Sequence, residues 1–211
     1  FILELLLSRL IYPINTIYYV LSGRLDFYFT KSVWLSKLIY KNRKIATVSE
    51  AIAIEILKKE YASNVRNLYQ PFDFETIENL KNEFHLDSNY ILAVGNMNND
   101  IKQIDKLIIA YSESDLPKQK MKLVVLGEGK YKVEYVKFVE KLNLSKLVLF
   151  KGTVQNPFPY YKKALFYVLS SKNEGLSNAI IESLACETPV VSFDCFSGPR
   201  EIIDNHKNGI L

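Results

Sequence analysis

The chain has 211 residues, of which 48% are hydrophobic and 24% charged, with a formal net charge of +4. That composition supports a sizeable buried core and excludes a disordered tail; mild basicity with dispersed lysines gives no argument for a nucleic-acid partner. The two cysteines, Cys186 and Cys195, exclude a disulfide-framed scaffold and read as free thiols in a reducing compartment.

From the N-terminus, Phe1 to Leu21 is apolar and aromatic, but Glu4, Arg9, Pro13 and Asn15 interrupt it. That makes it a poor membrane span and predicts one or two packed helices of a larger domain. Arg24 to Lys44 interleaves Lys31, Lys37, Lys41 and Lys44 with Phe27, Tyr28, Phe29, Trp34 and Tyr40. Val33, Lys37, Tyr40, Lys41 and Lys44 fall at helical spacing. Such a helix can rest on an anionic membrane surface, or turn its aromatics to a core and its lysines to water. Ile45–Val48 reads as a short buried strand, and Ser49 as the cap of a helix over Glu50–Tyr61. Asn64–Tyr69 reads as extended, and Pro71 makes Gln70–Asp73 a turn where a domain boundary is placed, dividing residues 1–72 from 73–211.

Beyond the boundary the pattern is regular. Strands are predicted at Tyr90–Gly95, Met121–Leu126, Leu147–Phe150, Leu165–Leu169 and Pro189–Phe193. Between and around them come helices over Glu75–Phe84, Ile104–Tyr111, Tyr131–Leu142, Asn156–Lys163 and Asn178–Ala185, then a helical turn from Gly198. Apolar strands alternating with helices predict an α/β fold, a doubly wound parallel sheet covered on both faces. Ligands of such sheets bind outside the carboxyl ends of the strands. The chain opens on Phe1, and Asn208–Leu211 reads as the start of a strand, so a piece cut at both ends is expected.

Five loops at strand ends are candidates for chemistry. After Leu169 come Glu174 and, with seven residues between, Glu182. Gly175 permits a close backbone approach, and Leu176, Ser177 and Asn178 lead into a helix whose free amides suit a diphosphate. Glu182 lies among Ile180, Ile181, Leu184 and Ala185, where a charge costs several kcal/mol unless it is paired or hydrogen-bonded. Its carboxylate suits vicinal hydroxyls such as those of a ribose. After the strand ending at Gly95 come Asn96 and Lys102, a cation read at a helix start beside a phosphate. Gly127–Glu128–Gly129 follows the next strand; it lacks the third glycine of a dinucleotide fingerprint. The loop Gly152–Asn156, with Thr153, could offer backbone groups to a base, and Arg200 could approach a phosphate or pair with a carboxylate. The chain carries no Asp-x-Asp pair, no Walker loop and no Cys/His cluster with zinc spacing, so no metal site is expected.

The run Asn173–Val191 resembles the E-x7-E motif of the retaining glycosyltransferases with the GT-B fold, the group 1 or family 4 enzymes. The likeness extends through Ile91–Gly95, Leu126–Gly129, Phe150–Gly152 and Asp194–Ile202, and upstream through Ala46–Glu50 and Tyr69–Asp73. It is strongest to members that act on bacterial surface glycans or lipid-linked oligosaccharides. The resemblance implies that residues 1–72 are the end of an acceptor-side domain and residues 73–211 the nucleotide-sugar-binding domain. It implies transfer from a nucleotide-diphosphate sugar, uridine-linked, to a glycan or lipid-linked acceptor, with retention and no metal or other cofactor. Glu182 would bind the ribose, Glu174 the donor sugar near its reacting carbon, and Lys102 with the amides after Gly175 the diphosphate. Gly95, Asn96, Glu128 and Thr153 would line the donor site. The resemblance further implies a cytoplasmic protein able to rest on the inner face of the membrane. Where this family usually has Arg the chain has Asn96, which removes a bidentate phosphate contact. Because nearly all of the family's first domain, with its acceptor site, is absent from it, the piece alone is expected to bind nucleotide weakly and turn over little or nothing. A sugar-nucleotide epimerase of the same architecture and a non-catalytic nucleotide-sugar-binding protein are the alternatives.

Overall fold

A computed structural model describes residues 16–211. They divide into two compact units: the first runs to Pro71 and takes in Asn173–Leu176 and Phe196–Glu201, and the second comprises Phe72–Lys172, Ser177–Cys195 and Ile202–Leu211.

The first unit is built on a parallel three-stranded sheet in the order β1 (Ile17–Val20), β2 (Lys44–Thr47), β3 (Val65–Asn67). Of the helices expected over Phe1 to Leu21, residues 1–15 lie outside the described residues, and Ile17–Val20 is a strand instead. Its run of β-branched and aromatic residues fits a pleated surface better than a helix. Helix α1 (Val33–Tyr40) is capped by Ser32, whose hydroxyl accepts from the Leu35 amide. It stops at Lys41, and Asn42 takes a left-handed φ of 60°. Lys44 therefore opens β2 rather than continuing the helical stripe. Helix α2 (Glu50–Lys58) starts at Ser49, which accepts from the Ile52 amide at 3.3 Å. The aromatics of the basic segment part company. Phe29 and Tyr40 are buried, with Phe29 stacked on Tyr61 at 4.9 Å, while Phe27 and Trp34 face solvent, Trp34 at 72% exposure.

The second unit alternates strand and helix: α3 (Phe74–Leu80), β4 (Tyr90–Val94), α4 (Ile104–Glu113), β5 (Lys122–Leu126), α5 (Lys132–Lys141), β6 (Val148–Gly152), α6 (Phe158–Lys163), β7 (Tyr167–Leu169), α7 (Asn178–Ala185), β8 (Val190–Ser192) and β9 (Gly209–Ile210), whereas the short helix α8 (Pro199–Ile202) belongs, but for its last residue, to the first unit. The six strands form one parallel sheet in the order β6-β5-β4-β7-β8-β9. Successive strand residues feed two separate cores, as a period of two requires. Leu92, Val124 and Leu126 join Tyr161, Tyr167 and Ile180 on one face, while Ile91, Ala93, Leu123 and Val125 join Ile104, Ile108 and Tyr135 on the other. Both faces are covered, which is why the strands read as unbroken apolar runs. The strand order reverses between β4 and β7, so the ligand crevice of this topology lies outside the carboxyl ends of those two strands. Among the described residues no helix is long and apolar enough to cross a membrane.

Candidate functional site

The loop after β4 is shaped by its own asparagines. Asn96 Oδ1 accepts from the Asn98 amide at 2.6 Å, and Asn99 Oδ1 accepts from the Ile101 amide at 3.0 Å. These are side-chain turns of the kind short amides favour. The loop rests on the one after β5 by direct backbone contact. A Cβ on Gly127, whose φ is +124°, would lie 2.1 Å from the Gly95 carbonyl oxygen, and one on Gly129 would lie 2.2 Å from the Met97 carbonyl carbon. The Met97 amide donates to the Glu128 carbonyl at 2.9 Å, and Tyr131 N–H to the Met97 carbonyl at 3.1 Å. The two glycines thus serve loop-to-loop packing.

Lys102 stands immediately before the cap of the helix, where the sequence reading put it. Helix α4 begins at Ile104, with Gln103 left-handed at the cap position. The Lys102 stem lies across Gly95, where an added Cβ would come within 2.9 Å of its Cγ. Glycine at the end of β4 is therefore what lets this side chain run along the crevice. The loop after β7 is tied to the same place. Ser170 Oγ donates to the Lys102 carbonyl at 2.6 Å, the Lys172 amide to the Ile101 carbonyl at 2.9 Å, and Lys172 Nζ to Asp100 at 2.5 Å. The two loops that flank the switch point are thus fastened together.

Asn173–Leu176 belongs to the first unit. The Glu174 carbonyl accepts from the Gly23 amide at 3.1 Å and from Ser197 Oγ at 2.5 Å, and the Glu174 side chain is partly buried. A Cβ on Gly175 would sit 2.1 Å from the Leu21 carbonyl oxygen and 3.2 Å from Val48 Cγ1. The close approach that Gly175 permits is therefore made by the protein's own chain. Leu176 is buried.

Ser177 occupies the cap position of α7, but not as a capping side chain. Its φ is +73°, and its hydroxyl makes no cap bond. Both that hydroxyl and the one of Ser171 are buried without a hydrogen-bond partner among the described residues. Asn178, the first residue of α7, is exposed. One turn further, Glu182 is partly buried and its Oε2 accepts from the Tyr161 hydroxyl at 3.0 Å. Burial pushes its carboxyl above the usual range, while the Tyr161 hydrogen bond and the charge of Lys102 pull it back down. Lys102 thus lies within electrostatic reach of Glu182. Around the end of β6, Glu128 is exposed and paired with Lys132, Gly152 turns beneath it at a φ of +76°, and Thr153 is exposed.

The structure brings Gly95, Asn96, Lys102, Glu128, Ser177, Asn178 and Glu182 into the second unit, at or beside the carboxyl ends of β4, β5 and β7. Arg200 is exposed, whereas its neighbour Glu201 has a firm structural task. Its carboxylate accepts from the amides of Glu50 at 2.7 Å and Ala51 at 3.2 Å, and from the Tyr69 hydroxyl at 3.1 Å. The sequence did not reveal Tyr161, Ser170 or the Lys172–Asp100 link. Tyr161 stands in the aromatic run Phe158–Tyr161 and reads as core, and no spacing rule joins it to Glu182.

Residues 75–211 match the family model described as glycosyl transferases group 1. The chain is 34% identical over 182 residues, 84% of its length, to the N-acetylgalactosamine-N,N'-diacetylbacillosaminyl-diphospho-undecaprenol 4-alpha-N-acetylgalactosaminyltransferase of Campylobacter jejuni, of which it spans 49%. Two solved structures share its fold. Anabaena HepE in complex with UDP superposes with a TM-score of 0.78 at 16% identity, covering 100% of this chain and 61% of that one. A Staphylococcus aureus TarM complex that contains UDP gives 0.77 at 22% identity, covering 93% of this chain and 40% of that one.

Proposed function

The chain belongs to the glycosyl transferases group 1 family and has the parallel α/β fold of GT-B glycosyltransferases, and from that premise we propose that it forms the donor-binding part of an enzyme that moves a sugar from a UDP-sugar to a glycan or lipid-linked acceptor. The observation that carries this reading is Glu182, a partly buried carboxylate held by Tyr161 within the field of Lys102, beside the switch point of the sheet. A half-buried acid with one neutral donor retains capacity for two further hydroxyls, which a ribose supplies.

Lys102 and the amides at the head of α7 take the diphosphate, and the unpartnered Ser177 hydroxyl is one more donor for it. Asn96 spends its side-chain oxygen on its own loop, so leaving-group charge falls to Lys102 and the helix terminus. Glu174 contacts the donor sugar near its reacting carbon. Transfer proceeds on one face of that sugar with retention, the departing phosphate accepting the acceptor's proton, and without a metal. The protein is cytoplasmic, and the exposed face of α1, with Trp34, Lys37 and Leu38, rests on anionic lipid.

The chain spans about half the length of the Campylobacter relative, so the test uses the full-length protein with UDP-sugars in a transfer assay. Glu182→Ala should weaken donor binding by about tenfold or more, the value of a charged hydrogen bond. Lys102→Ala should lower kcat by about 2–4 kcal/mol of transition-state stabilisation. Unchanged donor affinity in Glu182→Ala would remove the ribose role.

A further inference from the structure

Tyr161 is fully buried, and its ring packs edge-on against Tyr167 at 5.5 Å. Its place is fixed from several sides. The Tyr161 carbonyl accepts from Thr188 Oγ1 at 2.6 Å, and Thr188 in turn accepts at its own carbonyl from Ser183 Oγ at 2.9 Å. Helices α6 and α7 are thereby locked in register, and the phenol has one direction in which to donate, toward Glu182.

We infer that Tyr161 is a positioning residue for nucleotide recognition: its hydroxyl, donated from α6 to Oε2 of Glu182, orients that carboxylate and leaves Oε1 to accept the ribose hydroxyls. This inference rests on the reading of Glu182 as the ribose acceptor. A carboxylate free to rotate would lose part of its preference for a diol in one orientation, and a buried one without a donor would take up a proton more readily.

The charge environment makes the second effect measurable. Burial acts on Glu182 to raise its proton affinity; the Tyr161 hydroxyl and Lys102 oppose it. Cys186, at the C-terminal cap of α7, has its thiol pushed up to about 11, chiefly by burial, so it stays neutral. Lys81 at the C-terminal cap of α3 and Lys162 on α6 are engaged with Glu187, and the Tyr161 phenol is held well above its ordinary range by burial. Among the described residues, Tyr161 is thus the neutral donor acting on Glu182, with Lys102 as the cation that acts on it. Removing the phenol oxygen raises the pH at which Glu182 takes a proton.

The experiment is calorimetric titration of the full-length protein with UDP and with 2′-deoxy-UDP across pH 5 to 8.5, on the native chain, Tyr161→Phe, Glu182→Gln and Glu182→Ala. The native chain should lose UDP affinity on the acid side. In Tyr161→Phe that loss should begin at higher pH, and UDP should weaken more than 2′-deoxy-UDP does. Glu182→Gln should abolish the acid limb, and it retains an acceptor for the phenol if Tyr161→Phe fails to fold by thermal melting. An acid limb unmoved in Tyr161→Phe, one that persists in Glu182→Gln, or equal weakening of both nucleotides would overturn the inference. If Glu182→Ala itself binds UDP as the native chain does, the ribose reading fails; if only Tyr161→Phe is silent, the positioning role fails alone.

Discussion

Glu187 carries two ammonium groups on one carboxylate. Lys162 donates to it at 2.6 Å and Lys81 at 2.8 Å, and these contacts, Lys162 first, hold its carboxyl at about 2. The Lys81 side chain is only 4% exposed and also meets Glu78 at 2.7 Å; Glu187 and then Glu78 raise its ammonium to about 12. A depressed carboxylate contributes stability that is present above its ordinary pKa of about 4.5 and is lost as pH falls toward its folded value. The melting temperature of the native chain should therefore drop between about pH 5 and 2, and Glu187→Gln should melt lower at pH 7 and show a shallower drop across that window. Parallel melting curves of the two proteins over that range would show that the ion pairs add nothing. At this scale the sequence disclosed what depends on local chemistry. Glu182 was legible as a charge in an apolar stretch that needs a partner. The partner itself was not, because Tyr161 stands 21 residues earlier and meets it only through the packing of α6 on α7.

At the scale of elements, β4 and β5 were readable because strands buried on both faces are continuous apolar runs. Strand β1 was not, since an apolar, aromatic stretch without alternation is equally compatible with a buried helix. The start of α4 at Ile104 was legible from its helical spacing, but the left-handed conformation of Gln103 at its cap was not, since no sequence signal demands it. Helix α1 combines parts of both readings of the basic segment. It buries Ser36, Ile39 and Tyr40, yet leaves Val33, Trp34 and Leu38 exposed beside the exposed Lys37 and Lys41. An exposed apolar strip edged by lysines suits the boundary of an anionic bilayer. The full-length protein should sediment with vesicles containing anionic lipid, and replacing Lys31, Lys37 and Lys41 with Gln should release it at physiological salt. Sedimentation indifferent to those replacements would reject the electrostatic contact.

Across the whole molecule, the alternation of strands and helices disclosed the doubly wound class, but not the strand order, which arises from pairings between segments as distant as β4 and β7. Nor did sequence show that Asn173–Leu176 and Phe196–Glu201 pack with the first unit while their flanks belong to the second. That placement rests on Gly175 and Gly198, whose missing side chains admit the Leu21 and Leu176 carbonyls. The central claim is that the nucleotide sits outside the carboxyl ends of β4 and β7. Amide hydrogen exchange of the full-length protein, with and without saturating UDP, tests it most directly. The expected result is slowed exchange concentrated in residues 95–103 and 170–182. Protection confined to other segments, with these two unchanged at saturation, would contradict it.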